Sequence, residues 1–321
     1  MTSTADVGAL HVVFGAGQIG PHLAARLLAA GKRVRVVRRS GAPLDLAGVE
    51  LVRADGRDPQ AAAEAARGAE AVYHCVNVAY DAKLWAEELP RIQEHLVAAA
   101  GRAGAKLVVL DNLYAYGRTG GVPMNEETPQ NPCSRKGEIR ARLHDDLVAA
   151  ARRGDARIAM GRAADFFGPG AWAGSLLGQP FWPAALAGKT VSLVVNPEPR
   201  HTYHYSRDVA AGLAALGLDA AADGLWMLPC APAVSTRELV GRFAGALGRP
   251  IPIRRVPRLV MGAAGLLLAI ARELNEMAYQ WEEPFVVDDA RFRARFGDLA
   301  TPLDVAARET LADARKRLGG G

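Results

Sequence analysis

The stretch VVFGAGQIG, residues 12–20, places three glycines directly after an apolar run and at the start of a helix-like pattern. Between a strand and a helix, Gly15 permits the tight turn, Gly17 lets a pyrophosphate approach the backbone, and Gly20 allows close helix–strand packing. The N-terminus of the helix adds unpaired N–H groups and positive potential. A G-x-G-x-x-G spacing also occurs in turns that bind nothing, but its position here favours dinucleotide binding.

Apolar runs alternate with helix-like patterns through the first half of the chain. Strands are predicted at residues 10–14, 33–37, 49–55, 69–76 and 106–111, and helices at 17–30, 59–68, 88–104 and 138–154. This alternation implies crossover connections and a parallel sheet covered on both faces. The predicted fold class is therefore α/β, a Rossmann-type doubly wound parallel sheet with a smaller mixed C-terminal substrate lid.

Proline and glycine become frequent from about Gly168 onward, which indicates short elements separated by turns. We expect a dinucleotide-binding Rossmann domain over residues 1–167 and a smaller substrate-binding lid over residues 168–321. A helical pattern within residues 200–216 predicts that this segment packs back on the Rossmann domain.

The bulk composition describes a globular protein without a nucleic-acid partner. The 321 residues are 50% hydrophobic and 23% charged, and the net charge of +5 comes mostly from scattered arginines. Such scatter gives a modest bias toward anionic ligands. Because basic and aromatic residues form no common stripe, we expect a small-molecule substrate and no nucleic acid.

Three widely separated cysteines without C-x-x-C spacing predict neither a disulfide framework nor a metal site. The polar N-terminus does not resemble a signal peptide. The longest uncharged apolar stretch, LVMGAAGLLLAIA at residues 259–271, is too short to span a bilayer and is interpreted as a buried or subunit-facing helix. We therefore expect a cytoplasmic protein with no membrane partner.

The end of the second predicted strand favours NADP(H) over NAD(H). An acidic residue about 20 positions after the glycine loop would bind the ribose of NAD. Here Arg38, Arg39 and Ser40 occupy this place, and two guanidinium groups suit a 2′-phosphate. The arginines can instead be solvated surface residues. Asp55, after the third strand, can accept from the adenine amino group or cap the next helix.

Five later segments resemble the extended short-chain dehydrogenase/reductase family, of the NAD(P)-dependent epimerase/dehydratase type. They are HCVNV (74–78), LYAYG (113–117), GRAADFFGPG (161–170), RHTYHYSRDVA (200–210) and STRELV (235–240). The resemblance covers nearly the whole chain. The glycine spacing is one residue shorter than the family's usual pattern, which points to its atypical branch, in which cofactor binding survives while catalytic residues vary.

The resemblance also implies which residues bind the cofactor. HCVNV corresponds to the segment under the nicotinamide ribose, and Lys136 corresponds to the family's lysine, which holds that ribose. The predicted cofactor-binding residues are Gly15, Gly17, Gln18, Ile19, Gly20, Arg38, Arg39, Ser40, Asp55, Val76, Asn77 and Lys136.

The catalytic residues implied by the resemblance depart from the family pattern. Asn112 stands in place of the family's Ser/Thr, four residues before Tyr116. Pro132 stands four residues before Lys136, so the usual tyrosine acid is missing. Tyr114 falls where the family's dehydratases place a catalytic acid, and a lowered phenol pKa would suit it as proton donor. Asn112 can alternatively cap a turn, and Tyr114 can merely line the pocket.

Further candidates lie in and around the predicted lid. Asp165 is a second candidate acid/base group or a turn-former, and Asp111 is expected to anchor the loop after the fifth strand. The substrate set comprises Tyr116, which is also explained as structural, Trp172 as an apolar wall, and His201, where the family often places an arginine that meets a substrate anion.

The function predicted from these residues is an NADP(H)-dependent oxidoreductase acting on a small carbonyl- or imine-type metabolite of apolar or aromatic character. A catalytically silent NADP(H)-binding redox sensor and an epimerase or dehydratase with tightly held cofactor remain alternatives. The resemblance implies a homodimer through the helices at residues 88–104 and 138–154. The second helix places Ile139, Leu143 and Leu147 on one face.

Overall fold

Thirteen strands and eleven helices make up the computed structural model, which describes residues 8–319. The strands are β1 (Leu10–Phe14), β2 (Arg33–Arg38), β3 (Val49–Arg53), β4 (Ala69–His74), β5 (Lys106–Asn112), β6 (Arg157–Ala163), β7 (Asp165–Phe167), β8 (Val191–Leu193), β9 (Arg200–His201), β10 (Tyr203–Tyr205), β11 (Gly224–Met227), β12 (Val234–Ser235) and β13 (Ile253–Arg255). The helices are α1 (Gly20–Ala29), α2 (Pro59–Ala66), α3 (Ala82–Ala103), α4 (Arg135–Arg153), α5 (Trp182–Leu186), α6 (Ser206–Leu218), α7 (Thr236–Leu247), α8 (Arg258–Leu267), α9 (Ala269–Glu276), α10 (Ala290–Phe296) and α11 (Leu303–Arg317).

The central sheet has seven strands in the order β3-β2-β1-β4-β5-β6-β11. Every neighbouring pair in it is parallel. The strand order reverses between β1 and β4, which opens a crevice at the carboxyl ends of these strands. The predicted α/β Rossmann-type fold is confirmed.

Helices cover both faces of the sheet, so its inner strands are apolar without alternation. All five side chains of β1 are buried. Val12 packs with α2, α3 and α4 on one face, whereas Val13 packs with α1 and α6 on the other. This two-sided core fixes the position of the glycine loop that follows β1.

Two helices begin earlier than predicted because polar side chains cap them. Asp81 accepts hydrogen bonds from the backbone N–H groups of Lys83 and Leu84, so α3 starts at Ala82 and contains Pro90 in its interior. Ser134 likewise accepts from Gly137 and starts α4 at Arg135. The earlier start of α4 brings its first turn against the short 3-10 turn at residues 114–116, which follows β5.

The C-terminal half of the chain has an apolar core of its own, built mainly from α5, α7, α11 and β8. The chain also returns to the central sheet, because α6 packs against α1 and β4–β6 and β11 pairs with β6. The division of the chain at residue 167 stays a prediction.

Residues 259–271 do not form one buried helix. They lie in α8 and α9, and the side chains of α8 are exposed or half-buried. Within residues 8–319, no helix has the length and hydrophobicity needed to cross a membrane.

The apolar stripe of α4 packs inside the protein. Ile139 and Leu143 contact Trp85 and Leu89 of α3, and Leu147 joins the core beneath the sheet. This internal packing accounts for the stripe, so the homodimer stays a prediction without support from it.

Candidate functional site

A cleft of about 1110 Å³ runs along the carboxyl ends of the central strands. The predicted residues that line it are Gly15, Gly17, Gln18, Ile19, Arg38, Arg39, Ser40, Asp55, Val76, Asn77, Asn112, Tyr114 and Asp165. Side chains from six different segments therefore converge on one cavity. Gly20, Tyr116, Lys136, Trp172 and His201 lie outside its lining.

The glycine loop fits the roles predicted for its three glycines. Gly15 has φ +105°, and a Cβ there would lie 2.6 Å from the carbonyl oxygen of Cys75. A Cβ at Gly20 would overlap the carbonyl oxygen of Gly15. At Gly17 a Cβ would meet nothing within 4 Å, so the backbone there faces open space. The first and third glycines are thus required by packing, and the second leaves the approach to the loop free.

The N-terminus of α1 faces the same space. Its N-cap residue is Ile19, whose side chain has no oxygen to accept from the first-turn N–H groups. Those groups are available to an anion, with the positive end of the helix behind them. Gln18 projects from the loop and donates through Nε2 to the carbonyl oxygen of Ala173, which joins the loop to the segment after β7.

The far end of the cleft is basic. Arg38 donates to the carbonyl oxygen of Ala42 at 3.2 Å, and Arg39 and Ser40 beside it are exposed. Asp55 pairs with Arg57, whose Nη2 lies 2.6 Å from Oδ2, and this hydrogen bond holds the pKa of Asp55 below its usual range. Asp58, rather than Asp55, caps α2. The capping alternative for Asp55 is therefore wrong.

Arg140 is a cleft residue that sequence reasoning missed. Its buried guanidinium lies 3.4 Å from Oδ1 of Asn77 and 3.5 Å from Oδ1 of Asp111, and it stacks over Trp85 with its Cζ 4.5 Å from the ring centre. Arg140 lies four residues after Lys136, which is the interval between the tyrosine and the lysine of the family's Y-x-x-x-K motif. Matching Arg140 to the lysine of that motif could have identified it as a cleft residue.

Lys136 lies away from the cleft, which contradicts its predicted contact with the cofactor. Its ammonium group is fully buried, pairs with Glu273 and lies 2.9 Å from Oε2 of Glu276. Burial alone would raise the pKa of Glu276, but hydrogen bonding and the charge of Lys136 outweigh burial and lower that pKa. Both carboxylates come from α9, 137 and 140 residues further along the chain, so no local pattern indicated this pairing.

Asn112 has the turn-closing role that was one of its two alternatives. Its Oδ1 accepts from the backbone N–H of Tyr114 at 3.0 Å and so closes the turn after β5. Asn112 also lines the cleft, and this bond does not use its amide N–H groups, so its role as a donor to substrate stays a prediction.

Tyr114 borders the cleft beside a second tyrosine that the sequence did not single out. Its hydroxyl lies 3.3 Å from that of Tyr80. Burial, followed by the charge of Asp165, raises the pKa of Tyr114 to about 12. The expected lowering of this pKa is wrong, because Lys136 pairs elsewhere and desolvation disfavours the phenolate. Tyr114 is a protonated phenol at neutral pH.

Asp165 and His201 form a pair at the inner wall of the cleft. The Oδ2 of Asp165 lies 2.9 Å from Nε2 of His201, and only Asp165 reaches the cleft. The buried imidazole stacks between Trp281 and Phe285, with ring centres 4.9 and 5.4 Å away. His201 therefore stands behind Asp165 rather than facing a substrate.

Three other predicted residues have structural surroundings. Asp111 pairs with Arg162 at 2.9 Å instead of anchoring the loop. Tyr116 is buried, lies over the guanidinium of Arg162 and donates to the carbonyl oxygen of Asn125 at 3.2 Å. Trp172 packs on the C-terminal core, with Arg317 over its ring. The substrate roles predicted for Tyr116 and Trp172 do not agree with these positions.

The profile of the NAD dependent epimerase/dehydratase family matches residues 11–223. The chain belongs to this family. The resemblance drawn from the sequence is thereby confirmed, as is the prediction of an NAD(P)-dependent enzyme class. No curated protein matches the sequence.

Solved structures of epimerases and dehydratases share the fold over nearly their full length. A putative epimerase from Burkholderia cenocepacia J2315 superposes with a TM-score of 0.78 at 21% identity, covering 96% of this chain and 98% of the other. DesIV, a dTDP-glucose 4,6-dehydratase from Streptomyces venezuelae with NAD and TYD bound, gives 0.77 at 19% identity, with 97% and 98% covered. UDP-glucose 4-epimerase from Thermus thermophilus, in complex with NAD, gives 0.75 at 20% identity, with 95% and 99% covered.

The cleft of this family member fits a nicotinamide dinucleotide. The cradle at Gly15 and Gly20 has no room for a Cβ, whereas Gly17 leaves space for a diphosphate. The cleft is also long enough to join the basic end at Arg38 with the tyrosine pair at the other end. Donors for the diphosphate thus lie at the glycine loop and the N-terminus of α1, where this fold binds it.

Proposed function

We propose that the protein is an NADP(H)-dependent oxidoreductase that acts on a small apolar or aromatic carbonyl- or imine-type compound. The observation that carries this proposal is the continuity of one cleft between Arg38 and Arg39 at one end and Tyr114 and Asp165 at the other. A bound nicotinamide would supply hydride transfer. The chain's own residues would bind it, position the substrate and move the proton.

The preference for NADP(H) rests on charge at the adenosine end. The end of β2 offers two guanidinium groups where NAD enzymes of this fold commonly have a carboxylate. Arg38 and Arg39 would hold a 2′-phosphate, for which planar fork donors are suited. Asn77 and Arg140 would hold the nicotinamide end, because both line the cleft next to β4 and β5. DesIV and the Thermus epimerase contain NAD, so the preference distinguishes this chain from them.

Tyr114 is the proposed proton donor. Its raised pKa keeps the hydroxyl protonated at neutral pH, and Tyr80 at 3.3 Å can share the proton or relay it. The amide of Asn112 would donate to the same substrate oxygen and polarise it. All three groups border one end of the cleft.

Asp165 would serve as a second acid/base group. His201 fixes one carboxylate oxygen through Nε2, and Asp165 itself lines the cleft. Stacking of the imidazole on Trp281 holds the pair in place. A carboxylate oriented in this way can accept or return a proton, which reactions with two proton transfers need.

The substrate class follows from the wall of the cleft. Tyr80, Trp85, Tyr114 and Phe166 contribute aromatic surface to the lining. Trp85 stacks parallel to Tyr114 with ring centres 6.1 Å apart. Flat or apolar compounds bury well against such surfaces.

Family membership favours a second candidate, an epimerase or dehydratase that keeps its cofactor bound. Such an enzyme would oxidise its substrate transiently and consume no cofactor. The silent-sensor alternative has less support, because it gives no reason for Tyr114, Asn112 and Asp165 to meet at the cleft.

The test is consumption of NADPH with a panel of apolar and aromatic aldehydes, ketones and imines, repeated with nucleotide sugars analysed for product. For the proposed reaction, Tyr114→Phe should lower kcat by about 10²–10⁴-fold, the usual effect of losing a general acid. Tyr116→Phe is the matched control, since its hydroxyl bonds a backbone carbonyl outside the cleft. The control should keep its turnover.

Each other outcome selects a different assignment. Full turnover of Tyr114→Phe together with loss in Asp165→Asn would move the acid role to Asp165. Conversion of a nucleotide sugar without net use of NADPH would support the epimerase or dehydratase. Tight NADPH binding without turnover of any compound would support the sensor.

A further inference from the structure

Helices α8 and α9 form a hairpin with an exposed apolar surface. Residues 259–271 of the hairpin contain no charged side chain and no polar side chain. Leu259, Leu266 and Leu267 are 88%, 85% and 88% exposed. Leucines this accessible carry a free-energy cost in water that burial would remove.

The exposed apolar residues are concentrated in this hairpin. Within residues 8–319, eleven large hydrophobic side chains are exposed, and seven of them belong to α8, α9 or the residue between them. The seven are Leu259, Val260, Leu266, Leu267, Leu268, Ile270 and Leu274. A patch of this kind marks an interaction site rather than ordinary surface variation.

The arrangement of the leucines favours a lipid environment over a protein partner. Leu266 and Leu267 are successive residues at the end of α8 and point about 100° apart, and Leu268 follows in an extended conformation. All three side chains are exposed, so the apolar surface of the tip is wider than the stripe on one side of a helix. A protein partner would cover one side only, whereas lipid chains surround an inserted tip.

The length of the hairpin and the charges at its base define the depth of insertion. The 10 residues of α8 extend roughly 15 Å, about half the hydrocarbon thickness of a bilayer. Arg254 and Arg255 precede α8 and are exposed at the base, where lipid phosphates would lie, whereas Arg272 lies one turn after Leu268, nearer the tip.

Nearby carboxylates offset only part of this positive charge. Glu282 pairs with Arg258 and Arg118, and Glu273 and Glu276 pair with Lys136 and Arg135. Glu283 accepts from the backbone N–H groups of Thr119 and Gly120. The remaining exposed guanidinium groups leave the base of the hairpin complementary to an anionic surface.

We propose that the α8–α9 hairpin inserts into the surface of a bilayer that contains anionic lipids. The base of the hairpin is fixed to the wall of the cleft, because Glu273 accepts from the backbone N–H of Ala82 at 3.1 Å and Lys136 lies 4.6 Å from the ring centre of Tyr80. Docking therefore brings the tyrosine end of the cleft close to the bilayer. This proposal is independent of the reaction and of the cofactor preference.

Flotation of the full chain with vesicles tests the proposal. Vesicles of equal parts phosphatidylcholine and phosphatidylglycerol are compared with pure phosphatidylcholine at low and high salt. The protein should float with the anionic vesicles, and Leu266→Ser with Leu267→Ser should weaken binding at least ~10-fold because two inserted leucines are lost. Arg254→Gln with Arg255→Gln should weaken binding to the anionic vesicles about 10-fold and reduce its salt dependence.

The matched control replaces two exposed apolar residues elsewhere, Val122→Ser with Leu218→Ser, and should bind like the unmodified chain. Circular dichroism and NADPH titration confirm that every variant is folded. Failure of the unmodified chain to bind either vesicle, or equal binding by the serine variant, would overturn the proposal. A dimer in light scattering that the serine variant converts to a monomer, without vesicle binding, would show that a second copy covers the hairpin.

Discussion

At the scale of single residues, the surroundings of a side chain decide its chemistry more than its identity does. Tyr114 and Lys136 are the clearest pair. A tyrosine beside a buried lysine would have a lowered pKa, but the lysine is neutralised by Glu273 and Glu276, and burial raises the pKa of Tyr114 instead. The phenol therefore keeps its proton to high pH, which the proposed role as proton donor needs.

The cofactor preference is a prediction at this scale. NADPH should bind more tightly than NADH by about 1.5–3 kcal/mol, since one charge-assisted contact to the 2′-phosphate would be lost with NADH. Arg38→Asp should narrow or reverse the difference. Fluorescence titration of both cofactors measures it.

A matched control exists on the same strand. Arg33 begins β2 at the end away from the cleft and is exposed, so Arg33→Asp makes the same charge change without touching the adenosine end. It should leave the ratio of the two affinities unchanged. Equal affinities of the unmodified chain for NADPH and NADH would refute the preference.

At the scale of elements, two positions four residues apart in α4 contact different parts of the protein. Arg140 faces the cleft, and Lys136 one turn earlier faces α9. Residues four positions apart lie on the same face of a helix. The edge of the cleft crosses this face between the two residues, so only Arg140 lines the cleft. Lys136 therefore connects α4 to the hairpin, and Arg140 connects it to the site.

Substitution of Lys136 should lower the free energy of unfolding, whereas substitution of Arg140 should lower the affinity for NADPH. Lys136→Met removes the buried cation beside Glu273 and Glu276 and leaves them only the exposed Arg135, which should lower the free energy of unfolding by up to about 3–5 kcal/mol. Urea denaturation measures this loss. NADPH affinity of the folded fraction should change little, because Lys136 lies outside the cleft.

Arg140→Met is the counterpart and should weaken NADPH binding. Adding Glu273→Gln and Glu276→Gln to Lys136→Met should restore part of the stability, since no buried charge is then left unpaired. If Lys136→Met instead lost NADPH affinity and kept its stability, the family's lysine role would apply to it after all.

At the scale of the whole molecule, apolar helix faces that pack inside the protein must be distinguished from those exposed to solvent. The stripe of α4 packs on α3, so it does not mark a subunit interface. The homodimer expected from the family would use other surfaces of these helices. Light scattering at micromolar concentration should give twice the mass of the 34.0 kDa chain.

Two variants identify the surface of such a dimer. Exposed positions on the expected helices, for example Glu94→Arg with Arg142→Glu, should weaken a dimer formed by α3 and α4. Leu266→Ser with Leu267→Ser should not affect it. A monomeric mass of the unmodified chain would contradict the prediction.

The sequence alone determined the parts of this protein that depend on short-range patterns. Strand and helix periodicity predicted the Rossmann sheet, and the spacing of Gly15, Gly17 and Gly20 predicted the cofactor loop, because these features are set by residues within about ten positions of one another.

Only the tertiary structure decided the pairings between distant segments. Asp165 meets His201 across 36 residues, and Lys136 meets Glu273 across 137. No local pattern encodes such contacts, since they arise from where the tertiary fold brings α9 and β9. These long-range contacts set the burial of each ionisable group and hence its pKa, which is why a lowered pKa for Tyr114 and a cleft position for Lys136 were wrong while the fold was right.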